Sequence, residues 1–141
     1  MYADNYRKLI AITNRQYSVA HRQNAVLHAT VGLVKLVGID AFELLDYDND
    51  ELGVRAQISL FPNVGLAAKN GSQLLNTYRQ ASEANIACNI FGECMLGASA
   101  EEQVRQTREA TLETFKPMAV VLFGDADVVH PLTKKFSVLK D

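Results

Sequence analysis

The chain has 141 residues, of which 48% are hydrophobic and 21% charged, and a formal net charge of −2 at pH 7. That length fits one domain with a real core, and that balance excludes a disordered chain. The acidic isoelectric point, near 5.9, gives no overall pull toward nucleic acid, and no apolar run reaches the roughly 18 residues of a membrane helix. Met1–Lys8 is polar where a secretory leader needs an apolar stretch. Two cysteines, Cys88 and Cys94, have no partner pairs elsewhere, so they read as reduced thiols rather than a disulfide framework. A cytoplasmic protein is expected, with no membrane or nucleic-acid partner.

Leu9–Ile12 reads as a buried strand and Asn14–Tyr17 as a polar loop. Ser18 is a fair N-cap for a helix over Val19–Val37, with Lys35 in its last turn and Gly38 ending it. Phe42–Leu45 looks like a second strand, Asp46–Gly53 like an acidic loop, and Ala56–Phe61 like a strand stopped by Pro62. Ser72 can cap a helix to about Ala84, with Leu74, Leu75, Tyr78 and Ala81 on one face. Ile86–Ile90 is a further strand. Ser99–Glu102 has the capping-box form and opens a helix ending near Phe115. Met118–Phe123 is the most strand-like run, Asp125–Leu132 a short helix despite Pro131, and Phe136–Leu139 a last strand. Strands alternating with helices predict an α/β fold: a single-layer mixed, partly parallel sheet flanked by helices, with no internal repeat.

The first helix is apolar on most sides, which marks it as largely buried. Its polar exceptions are ordered: His21, His28 and Lys35 repeat every seven residues, Asn24 shares their face, and Gly32 leaves a gap in the stripe. Such a stripe must face water, a partner or a pocket. A metal shared by His21 and His28 is not expected, because two turns separate them by roughly 10.5 Å while zinc ligands lie about 2 Å from the ion. The loop before this helix leaves the carboxyl end of a strand, where ligands gather in open α/β sheets, and Arg15, His21 and Arg22 add positive charge there. The glycines of a phosphate or dinucleotide loop are missing, and no cofactor is expected.

Asp46, Asp48 and Asp50 mimic half of a calcium loop, but Glu51 and Gln57 stand where such a loop needs glycine and glutamate. A solvated acidic turn is the better reading. Cys94, after Gly92 and Glu93, is either an exposed thiol or a small buried hydrophobe, and Cys88 fits the second description. His130 before Pro131 reads as a surface residue.

Three segments, Lys8–Ile12, Asn24–Leu33 and Val121–Gly124 running on to Leu132–Leu139, resemble domain of unknown function 2000, a family related in fold to type II peptidyl-tRNA hydrolases. The resemblance covers nearly the whole chain. It implies a peptidyl-tRNA hydrolase II-like fold, a small mixed sheet flanked by helices, and frequent assembly as a homodimer. It does not carry the hydrolase chemistry. His28 matches the hydrolases' histidine, but their lysine seven residues earlier is His21 here and their glutamine three earlier is Ala25. Their Asp-x-Gly-x-Thr segment meets Ile90, Gly92 and Cys94, and the predicted helix Ser99–Phe115 is inserted there. The expectation is therefore a domain binding a small anionic ligand or a partner near the first helix, with His21, Asn24, His28, Arg15 and Cys94 as candidate ligand-binding residues. The alternatives are an enzyme with a rebuilt site, His21 or His28 acting as base and Cys94 as nucleophile, and residual peptidyl-tRNA hydrolysis.

Overall fold

A computed structural model describes residues 2–140. The first strand, β1, is Arg7–Asn14. Ser18 then caps helix α1 (Val19–Val37), its side-chain oxygen accepting from the His21 backbone N–H. Gly38 ends the helix at φ +91°, where an L side chain would be strained, and its N–H donates to the Val34 carbonyl at 2.9 Å.

The expected strand Phe42–Leu45 is instead a 3-10 turn (Ile39–Phe42) followed by strand β2 (Leu44–Asn49). The turn drops Phe42 into the core, 4.5 Å from the Phe123 ring, and Glu43 at φ +47° breaks any extended run between them. The expected acidic loop is also strand as far as Asn49. Its carboxylates have cross-strand partners in β3 (Val54–Ser59): Asp46 accepts from Gln57, Asp48 lies opposite Arg55, and Arg55 bonds Asp50 at 2.8 Å.

Pro62 does not end the extended chain, as its sequence position implied, but introduces a strand missing from the sequence reading, β4 (Asn63–Ala68). A proline is tolerated at that start because only its carbonyl is used, accepting from the Leu9 N–H at 3.1 Å. Helix α2 (Gly71–Glu83) is capped by Asn70 rather than Ser72, through a 3.0 Å bond from the Gln73 N–H. Strand β5 (Ala87–Gly92) follows. The single helix expected over Ser99–Phe115 is two, α3 (Ala100–Glu109) and α4 (Leu112–Phe115). Between them the Thr111 N–H takes the Thr114 hydroxyl at 2.8 Å in place of a helical carbonyl. Strand β6 (Pro117–Asp125), helix α5 (Ala126–Thr133) and a two-residue strand β7 (Ser137–Val138) complete the order. β7 is shorter than Phe136–Leu139 because Phe136 turns into the core.

Five strands form one mixed sheet in the order β5-β6-β1-β4-β7. β1 and β4 run parallel; the other pairs are antiparallel. β2 and β3 form a separate two-stranded hairpin outside that layer. Met118–Leu122 of β6 are fully buried, as a strand covered on both faces requires. On one face Ile10, Ile12, Val120 and Leu122 pack with Leu74 and Ala81 of α2 and Val129 of α5. On the other, Val121 and Phe123 pack with Ala25, Ala29 and Leu33 of α1 and with Phe42 and Phe61.

Candidate functional site

Helix α1 does not lie centrally over its face of the sheet. It packs on β5 and β6 and only lightly on β1. The parallel pair β1–β4 is left with a floor of small residues, Ala11 opposite Gly65 and Thr13 opposite Ala67. A groove of about 510 Å³ results, floored by β1 and β4, walled by Val19, Val26 and Leu27 of α1 and closed at one side by Leu139. Its size is that of small-molecule sites, and its lining is mainly apolar with a few polar groups.

The most unusual of those polar groups is Thr13. It is 3% exposed, and its hydroxyl meets no hydrogen-bond partner among the described residues. An unpaired buried hydroxyl costs about 1–3 kcal/mol. Alternation along β1 sends Ile10, Ile12 and Asn14 to the opposite face and Ala11 and Thr13 toward α1, so Thr13 stands on the groove side of the sheet with its hydroxyl enclosed. Arg22, in the first turn of α1, lines the same groove, as does Lys140; among the described residues no acidic one does. Neither of these cations forms an ion pair among the described residues.

A second cavity, about 430 Å³, lies on the other face at the carboxyl end of β1. Gln16 and Tyr17 form one wall, Gly71 and Ser72 at the start of α2 another, and Lys116 lies at its edge. Asn14, buried beneath, is engaged on both sides of its amide: an N–H donates to the Pro117 carbonyl at 3.1 Å and the oxygen accepts from the Gln16 N–H at 2.9 Å. Burial, then the charge of Glu93, raises the Tyr17 phenol above its ordinary range, so it stays neutral. Lys116 is held by Glu93 at 3.3 Å.

The residues singled out from sequence are dispersed. His21, Asn24 and His28 are exposed and line neither cavity. They occupy the flank of α1 above β5, roughly 160° around the axis from the groove-lining flank. His28 stacks on Phe91 of β5 at 5.2 Å and 13°, and His21 Nδ1 lies 2.8 Å from the Ser18 hydroxyl. Arg15 is exposed, its N–H fixed to the Ala68 carbonyl at 3.0 Å. Cys94 is not an exposed thiol: it is buried, 3.7 Å from the Thr107 hydroxyl, with no hydrogen bond to a histidine. His130 is exposed. Among the described residues no three His, Cys, Asp or Glu side chains gather as metal ligands, and no helix is long and apolar enough to cross a membrane.

Residues 7–140 match the family described as protein of unknown function (DUF2000). The chain belongs to that family. Similar solved structures include a protein of unknown function from Agrobacterium tumefaciens strain C58, 20% identical, with a TM-score of 0.78 over 96% of this chain and 98% of that one. That likeness concerns the fold. No curated protein matches the chain.

In this DUF2000 chain the sequence reading missed Thr13 and Gly65. The available signals were small: a hydroxyl ending the apolar run Leu9–Ile12, and a glycine inside an unrecognised strand.

Proposed function

We propose that this DUF2000 chain is a single ligand-binding domain whose site is the groove between α1 and the β1–β4 pair. One observation carries the reading. Thr13 keeps a buried hydroxyl without a partner in the wall of a groove large enough for a small molecule, and an unmet buried donor is retained at a stability cost where a ligand can complete it. Arg22, with no acidic residue beside it among the described lining, favours an anionic ligand. This reading moves the site from the histidine flank of α1 and the loop after β1 to the groove flank of the same helix.

We read the fold as that of the type II peptidyl-tRNA hydrolases with the chemistry removed. A rebuilt His/Cys enzyme has less support, since Cys94 is buried away from both histidines' hydrogen bonds. Residual hydrolysis has least, since His28 alone survives of the matched set, and turnover of peptidyl-tRNA at hydrolase rates would overturn this ordering. The test of the binding reading is an NMR titration of the full chain with a library of small anions. Shifts should concentrate at Thr13, Arg22 and Leu27 and vanish in Leu27→Glu, a residue 69% exposed whose replacement spares the core. A library that perturbs only the His21–His28 flank would reject the groove.

A further inference from the structure

We infer that the groove takes a linear aliphatic carboxylate, its head at the Thr13–Arg22 end and its chain lying over Ala11 and Gly65. The inference rests on the groove being the ligand site and adds the ligand's chemistry.

The register fixes the polarity of the groove. Thr13 lies at the carboxyl end of β1, and α1 starts beside it, so Arg22 in its first turn is near that end. Ala11 and Gly65, paired across the strands, lie further down the groove, beneath the later turn of α1 that carries Val26 and Leu27. A cation and an unmet hydroxyl thus stand at one end of a trough whose middle is aliphatic, with Asn63 and Lys140 beyond Gly65 at the other.

Each feature selects. An ionised group entering an apolar site must be met by opposite charge and a hydrogen bond, and a carboxylate accepts both: the Thr13 O–H donates to one oxygen and the guanidinium to either. An ammonium would face Arg22 and Lys140 with no acidic residue among the described lining. A phosphate monoester, more strongly hydrated, needs several donors, and this end supplies few. The trough is built mainly from Ala, Val, Leu and Gly, with Gln23, Asn63 and Lys140 at its margins and no aromatic ring among the described lining, so it offers contact to a flexible chain rather than a stacking surface. Leu139 lies over Gly65 closely enough that a Cβ there would stand 2.8 Å from it, which makes Leu139 the movable side of the trough.

The experiment compares octanoate, octanol and octylammonium as probes, by titration of the isotope-labelled full chain. Octanoate should bind tightest, shifting the amides of Thr13 and Arg22. Arg22→Gln should weaken octanoate about five- to ten-fold and leave octanol unchanged. Equal binding of octanol or octylammonium in the groove, or no effect of Arg22→Gln, overturns the carboxylate assignment while the groove survives as a site. Octanoate shifts that persist in Leu27→Glu, or that fall outside the groove, overturn both.

Discussion

Asn89 occupies the place that a side chain at position 32 would take. Gly32 of α1 has no Cβ, and the Asn89 amide of β5 fills that gap and donates to the Ala29 carbonyl at 3.0 Å. The helix is thereby drawn onto β5 and away from β1, which opens the groove on its other flank.

Gly32→Ala should therefore destabilise the protein although alanine favours helix by up to about 1 kcal/mol. Overlap with the Asn89 amide and loss of its bond outweigh that gain, for a net loss of about 1–2 kcal/mol. Urea denaturation of a double-mutant cycle is the check. In an Asn89→Ala background the same glycine change should be neutral or stabilising, and equal losses in both backgrounds would show that the two residues do not interact.

Thr13→Val should act in the opposite direction. Removing an unmet buried hydroxyl at constant shape should stabilise the fold by about 1 kcal/mol, or roughly 3–4 °C in Tm. The same variant should bind groove ligands more weakly. A fall in Tm would mean that the hydroxyl has a partner in solution and that the central observation is mistaken.

The β2–β3 hairpin bears on assembly. On one of its faces Leu45 lies opposite Ile58, Tyr47 opposite Ala56 and Asn49 opposite Val54; the other carries Asp46, Asp48 and Arg55. Leu45, Tyr47, Val54 and Ile58 are all exposed, and a two-stranded hairpin with an uncovered apolar face is marginal in water. We propose that two copies bury these faces against each other about a two-fold axis. Light scattering should give twice 15.6 kDa, and Ile58→Arg should return the monomer. An unchanged monomer mass on concentrating the parent chain defeats the proposal.

Cys88 should leave a mark on the pH dependence of stability. Burial raises its thiol above the ordinary range, against a weaker opposing effect of the Ser82 hydroxyl. A group held neutral in the fold contributes fully below its unfolded value of about 8.5 and loses that contribution as pH rises through its folded value. As pH rises above about 8.5 the parent chain should lose stability more steeply than Cys88→Ala. Parallel curves would show no shift.

Most elements of the sheet were legible because their apolar runs or alternation are long: β1, β6 and the three principal helices α1, α2 and α3 need no tertiary context. What was lost depended on partners. β4 hides behind Pro62 because its small residues serve a floor rather than a core, and β2 reads as an acidic loop until Gln57 and Arg55 stand across from Asp46 and Asp48. The histidine stripe on α1 was correctly read as one face, but period alone cannot say which flank of a helix borders a hollow. That depended on Gly32 and Asn89, 57 positions apart in the chain.

The strand order also governs how the chain matures during synthesis. β6 lies between β5 and β1, and Arg7 pairs with Asp125 across most of the sequence. As the polypeptide leaves the ribosome, β1 can recruit β4, but its other edge stays bare until the sixth of seven strands emerges. At about 5–20 residues per second that is an interval of seconds with an unsatisfied strand edge exposed. Folding should accordingly be late and slow for the chain's size, the behaviour of a topology dominated by distant pairings. A nascent chain released before β6 would have the β1–β4 pair and a lone β5, with nothing to join them.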